Sequence, residues 1–548
     1  MAGNIEEVHE SQLKKSAEKL TEEIQNMVNY KNLYSEIQKL VASTAVKRED
    51  FKNTLIDALK NNSLETEIRN TVFHWARSQG SLITSVPSTE EVDLSYLKKA
   101  QIQWERRIQK SLNSTCNELN VPLARIRPSI DRDEFTEKWN ELSTYDIDLS
   151  QYRPLYAPKD FLDVLLAIRN PSFKKQPDEL NWEFSHIQIR VKTLTQLRRL
   201  YVELASGMPL LGVNPDMPSS ENFANLEEER IHLGEKVLKT NHAPIAQEFL
   251  KRGAPRGLRG RLWSLVLGTV VKENDVEYYE ELKNMVLQYD IVIDKLIIKD
   301  VQLTARNDDQ YFVFEDVLYK TMLCFSRDSE VLAPVTTDKS AGGQVIHAVL
   351  QGKPATLENT LVFPPSGVIP FHGFTMYATP FCYLYDDSCA TYYTFRAFYL
   401  RYWFRLHTVS SHEQGIVALC LLFERLLQCH EPQLWFHFRN IHIQPVKVVF
   451  KWIMRGFSGH LPPEQLLYLW DLILGYDSLE IISLLAVTIL SFRKENLLQV
   501  NNQQSVEVTF YSLENIICLV HIVYFQAVLA DLSSLKIIPL LQLALLRE

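Results

Sequence analysis

The sequence predicts an all-α protein in two regions. Apolar residues recur at helical spacing from Gln12 onward, long apolar stripes opening at prolines fill the second half, and a Pro-, Gly- and Ser-rich stretch separates the two. At 548 residues, 46% apolar and 23% charged, the chain has material for packed cores. That length also exceeds the roughly 100–200 residues of one ordinary domain.

In chain order, Leu13, Leu20, Ile24, Met27, Val28, Leu33, Ile37, Leu40 and Val41 make one or two amphipathic helices over Gln12 to Ser43. The heptad is too short to require a coiled coil, so a helical bundle is expected. "QWERRIQKSLNSTCNEL" and "LTQLRRLYVELASGM" continue in the same style, separated by loops rich in Pro, Asn and Ser. "GMPLLGVNPDMPSSENFANLEEER" is the strongest boundary, near residues 207–240.

Beyond it, "RGAPRGLRGRLWSLVLG" (Arg252 to Gly268) reads as the start of a helix, with Pro255 suited to a turn or first helical position and Trp263, Leu265, Val266 and Leu267 as a buried face. It is not a phosphate-binding P-loop, because no Lys followed by Ser or Thr comes after its second glycine. Glu330 to Pro370, rich in Gly, Pro, Thr and Ser, reads as a long functional loop. The aromatic run Thr391 to His407 reads as a core helix with Arg396, Arg401 and Arg405 reaching outward. Arg405 to Cys429, Pro432 to Gly456 and Pro463 to Lys494 carry apolar helical stripes. Ile516 to Ala530 is apolar but interrupted by His521 and Gln526, and reads as a buried helix rather than a membrane span.

Composition excludes several classes. A net charge of −9 argues against coating nucleic acid, which requires a basic domain or stripe. The seven cysteines are scattered and never spaced CxxC, as expected of free thiols in a reducing compartment. The polar, acidic opening lacks the apolar core of a secretory signal. His437 and His442 have no partners at metal-ligand spacing, so no metal is expected. The pair Trp470-Asp471 occurs once, without the period of a propeller repeat.

Gly253, Pro255, Arg259, Trp263 and Gly268 stand at the spacing of the opening signature of the TBC domain, the Rab GTPase-activating domain, which this stretch resembles. "EPQLWFHFRNIHIQPVKVVFKWIMRGFSGHLPPEQLLYLWDLILGYDSLEIISLLAVTIL" resembles the family's C-terminal half, with Trp452, Phe457, Leu461, Pro462, Trp470 and Asp471 in register. "TPFCYLYDD" is similar to the segment after the family's second catalytic motif. The resemblance spans Ile245 to Leu498.

It implies an all-helical TBC domain over 241–500; beside it, periodicity and the Pro-, Gly- and Ser-rich boundary predict a helical N-terminal region of unknown role over 1–206, a linker over 207–240, and helices packing on the TBC domain over 501–548. The resemblance also implies a Rab partner, whose GTP hydrolysis is accelerated in trans by an arginine from IxxDxxRT and a glutamine from YxQG. GTP and magnesium would belong to that partner, with no cofactor in this chain. Membrane association would be indirect, from a cytoplasmic protein recruited to endomembranes through Rab.

Both fingers are replaced here. In "IIKDVQLT", Ile297, Asp300 and Thr304 keep the first motif but Leu303 takes the arginine position. In "PFHG", Gly373 keeps the second motif, while His372 takes the glutamine position and Pro370 the tyrosine position. Leucine cannot donate to a phosphate. Arg306 stands close enough along the chain to substitute, and Arg259 or Arg306 could partner Asp300. The resemblance thus implies a GTPase-activating protein, and the missing fingers give the alternative, a catalytically impaired Rab-binding module or scaffold.

Overall fold

The computed structural model describes residues 2–42, 48–61, 63–78, 94–145, 147–171, 184, 186–204, 221–304, 309–338, 346–349 and 360–499. Most of these residues are helical, and two short antiparallel strand pairs accompany the helices. The chain packs as two units: Met1–Glu91, Pro218–Leu250 and Ala254–Val270 form one, and Val92–Met217, Lys251–Gly253 and Val271–Glu548 the other. The grouping follows packing, not order along the chain.

In the first unit, the amphipathic stripe over Gln12 to Ser43 falls on two helices, Ala2–Asn26 and Val28–Ala42. Arg48–Asn61, Leu64–Ser78, Glu221–Thr240 and Ala243–Leu250 follow. The Arg252-to-Gly268 stretch does start a helix: Pro255 stands just ahead of a 3-10 turn over Arg256–Leu258, which leads into Arg259–Leu267. Gly268 ends it at φ +74, a left-handed conformation that glycine adopts without strain. Arg259 is 2% exposed and donates from Nη2 to the Ala254 carbonyl at 2.9 Å.

The second unit contains Ser95–Leu119 and a strand, Ala124–Ile126, that pairs antiparallel with Tyr289–Ile291. Tyr289–Ile291 runs straight into the helix Val292–Thr304. Buried charges lock this junction. Arg327 forms a two-pronged contact with Asp294 at 2.5 and 2.7 Å, and both side chains are almost fully buried. Asp290 accepts from Arg125 Nε at 2.8 Å and from Lys295. Burial alone would raise the Asp290 carboxyl, yet Lys295, Arg127 and Arg125 together hold it below the usual carboxylate range.

Farther along, Ser388–Arg401 buries Tyr392, Phe395, Phe398 and Tyr399 as the aromatic run predicts. Its arginines are paired rather than merely reaching solvent: Arg396 meets Asp328 and Glu330, both at 2.6 Å, and Arg401 grips Asp477 at 2.8 and 2.6 Å. The C-terminal stripes are shorter than their sequence pattern. The first is helical only over Ile416–His430. The second splits into Pro432–Asn440 and Pro445–Met454, and the third into Pro463–Tyr476 and Glu480–Phe492. The breaks lie at His442 and Asp477, which turn left-handed at φ +56 and +51. Pro432, Pro445 and Pro463 each open a helix, where a missing amide costs nothing.

The expected loop over Glu330 to Pro370 is more structured than its composition suggests: it holds the helix Ser329–Asp338 and a strand pair, Ile346–Val349 with Thr360–Phe363. Cys116, Cys324, Cys382, Cys389 and Cys420 are free and buried, and Cys429 is free and exposed. The expected helix over Ile516 to Ala530, and all of 501–548, lie outside the described residues. No helix among the described residues is long and apolar enough to cross a membrane.

The Arg327–Asp294 pair gives a stability prediction. Asp294→Ala strands a buried guanidinium and is expected to cost about 3–5 kcal/mol in urea unfolding of the full chain. Adding Arg327→Met should recover most of the loss. A double variant as unstable as the single one would show that the pair does not hold this junction.

Candidate functional site

The helix Val292–Thr304 has a strong apolar stripe through Ile293, Leu296, Ile297 and Val301, which buries one face and fixes the rotation of the rest. That rotation turns Asp300 inward, where it is 3% exposed. A buried carboxylate needs several donors to offset its lost hydration. Asp300 finds three on one turn: Gly373 N–H at 2.6 Å, Thr375 N–H at 2.8 Å and the Thr375 hydroxyl at 2.6 Å. Helix and turn are therefore joined through this single side chain.

The turn is held at other points as well. The His372 amide donates to the Tyr156 carbonyl at 3.0 Å, and Arg455 Nη2 donates to the His372 carbonyl at 3.2 Å. Gly373 sits at φ +91, and a Cβ built there would lie 2.2 Å from Arg455 Nη2. Only glycine satisfies both the backbone and the arginine above it. The 3-10 turn Phe374–Tyr377 follows and is wholly buried.

Leu303 lies one helical turn beyond Asp300, on the same side of the helix, and is 38% exposed. The His372 ring is 40% exposed, with Nδ1 3.8 Å from Asp300 Oδ1. Asp300 thus has the His372 ring close by, and Leu303 follows one helical turn along on the same helix. Arg306 lies outside the described residues. The partners described for Asp300 come from the 372–375 turn.

Burial pushes the Asp300 carboxyl above the usual carboxylate range, while the donors from Thr375 and Gly373 work in the opposite direction. Burial also pushes the His372 imidazole below its usual value; Asp300 opposes this, and the positive charges of Arg455 and Lys451 add to it. At neutral pH His372 is therefore a neutral ring, able to donate from one nitrogen and accept at the other, but carrying no charge.

The remaining expected residues are framework. Trp263 is fully buried. Trp470 is fully buried, donates from Nε1 to the Gly456 carbonyl at 3.0 Å, and packs on Trp403 with ring centroids 4.7 Å apart. Asp471 is also fully buried, with Oδ2 3.9 Å from the position a Gly253 Cβ would take. Sequence reasoning missed Thr375, Tyr156, Lys451 and Arg455. The threonine stands two residues past a recognised motif, but nothing local marks the other three.

A family model described as the Rab-GTPase-TBC domain matches residues 371–498. Human TBC1 domain family member 19 is 42% identical over 528 residues, covering 94% of this chain and 95% of that protein. The chain belongs to the TBC domain family. Two solved structures also match: the Chlamydomonas flagellar RabGAP TBC domain, at 14% identity over 66% of this chain and 98% of that one with a TM-score of 0.40, and the Ypt/Rab-GAP domain of Gyp1p, at 13% identity over 58% and 97% with a TM-score of 0.38. The TBC match begins one residue before His372 and continues through Trp470 and Asp471.

Gly373→Ala is expected to cost about 1–3 kcal/mol, from the left-handed backbone and the displaced Arg455 together. Gly257→Ala, at an exposed position where nothing lies within 4 Å of the new Cβ, should change stability by less than about 0.5 kcal/mol. Equal melting shifts for the two variants would refute this account of the turn.

Proposed function

We propose that this chain is a regulator of Rab-family small GTPases that engages its partner through the TBC domain and does not use the family's two catalytic fingers. The observation that carries this reading is the Leu303–Asp300–His372 arrangement. What supports it is that Asp300 holds the turn carrying His372 while an aliphatic side chain stands at 303 and a neutral ring at 372.

The physical reason is electrostatic. GTP hydrolysis builds negative charge on the transferring phosphoryl group, and an arginine delivered in trans is worth about 10³–10⁵ in rate. Leu303 delivers none. The chain thus acts as a binding module that recognises, shields or scaffolds a Rab in the cytoplasm and on the endomembranes the Rab occupies. GTP and magnesium belong to the partner.

A second reading, GTPase activation proper, has one observation in its favour. His372 stands half-exposed at the position of the water-orienting glutamine, and a neutral imidazole can both accept from and donate to a water.

The two readings separate in one experiment with the purified chain and a panel of Rab proteins. Binding is compared between Rab loaded with a non-hydrolysable GTP analogue and Rab loaded with GDP, and single-turnover GTP hydrolysis is followed in parallel. Expected are nucleotide-dependent binding, acceleration of less than about tenfold by the wild type, and a rise toward about 10³-fold for Leu303→Arg with His372→Gln. Wild-type acceleration of about 10³-fold would establish the second reading. Absence of Rab binding, or a double variant that binds without gaining activity, would overturn the first.

A further inference from the structure

The charge missing from position 303 has a counterpart elsewhere in the site. Arg455 caps the C-terminal end of the helix Pro445–Met454 and reaches the finger turn from the side opposite Asp300's helix in sequence, 83 residues from His372. Its Nη2 donates to the His372 carbonyl at 3.2 Å and occupies the space a Cβ on Gly373 would take. Its guanidinium therefore lies directly on the backbone of the residue in the glutamine position. Lys451, one turn earlier on the same helix, adds a second positive charge felt by His372.

The charges bearing on His372 are these two cations and the carboxylate of Asp300. They are not equivalent toward an incoming group. Asp300 is buried and engaged with three donors on the turn, whereas Arg455 is only part-buried. The turn thus has two cations and one buried carboxylate about it. A guanidinium is permanently charged and its planar donors match the oxygens of a phosphate, a geometry leucine and neutral imidazole lack.

We propose that Arg455 is the residue by which this chain distinguishes the GTP-bound from the GDP-bound state of its partner, presenting its guanidinium to the terminal phosphate of the bound nucleotide. This rests on the Rab-binding reading above and deepens it. The nucleotide states differ by one phosphate group and its negative charge, so a cation at the finger turn adds affinity for the triphosphate form and little for the diphosphate. No bond is made or broken. The residue sets specificity, and does so whether or not hydrolysis is accelerated.

The test compares the full chain with Arg455→Met, which keeps the alkyl length over Gly373 but removes the charge, and with Arg455→Lys, which keeps the charge. Each is titrated with a Rab loaded with a non-hydrolysable GTP analogue and with the same Rab loaded with GDP. Arg455→Met is expected to weaken binding of the analogue-loaded form by at least about tenfold, in line with loss of a charge-assisted contact. Its affinity for the GDP form should be unchanged, and Arg455→Lys should retain most of the preference. An Arg455→Met chain that keeps its full preference, or that loses both affinities equally as a damaged turn would, overturns the inference while leaving the Rab-binding reading standing. A wild-type chain that binds neither form sinks both.

Discussion

The buried carboxylate of Asp300 is the constraint on which the site depends. It faces inward because the apolar stripe of Val292–Thr304 leaves the helix no other rotation, and once inside it must be given donors. The donors come from Gly373 and Thr375, so the cost of burying one charge is offset by fixing the turn that carries His372. At the other end of the same helix, Asp290 and Asp294 are held by Arg125, Lys295 and Arg327. The segment bearing Leu303 is thus anchored by acidic side chains at its base and near its tip. Residues that do chemistry in the family can vary on such a frame without loosening it.

That separation of frame from chemistry explains how Leu303 is tolerated. Removing one partner of a buried ion pair ordinarily leaves an unpaired charge worth several kcal/mol of destabilisation. Here the carboxylate's partners are backbone amides and a hydroxyl, none of which depends on position 303. Leu303 itself is 38% exposed. Under the proposed function, the consequence of a leucine at 303 falls on what the surface can offer a phosphate.

The helical character of the chain was legible in the sequence because burying one face imposes a 3.6-residue period that survives any change of detail. The limits were less so. His442 and Asp477 break helices in the left-handed conformation without being glycine, and what stabilises the second break is Arg401, a residue 76 positions away. The strand Ala124–Ile126 is three residues long, too short for alternation to register, and is set by pairing with Tyr289–Ile291. The region after Glu330 carries loop composition yet forms a helix around Pro334 and a strand pair. At Asp477 and at Ala124–Ile126, a long-range contact decides the local conformation.

The candidate site divides in the same way. That Asp300, His372 and Gly373 come together was legible because short motifs fix their spacing along a helix and around a turn. Arg455 was not, since no pattern in "KWIMRGF" marks an arginine that packs against a glycine 82 residues earlier. Yet Gly373 is informative from both directions. Its positive φ alone would favour glycine, and the guanidinium lying where a Cβ would be adds an independent reason. The motif glycine and the arginine are therefore one structural feature. Any side chain at 373 would push the cation off the turn, so the glycine secures the electrostatics of the site as well as its backbone.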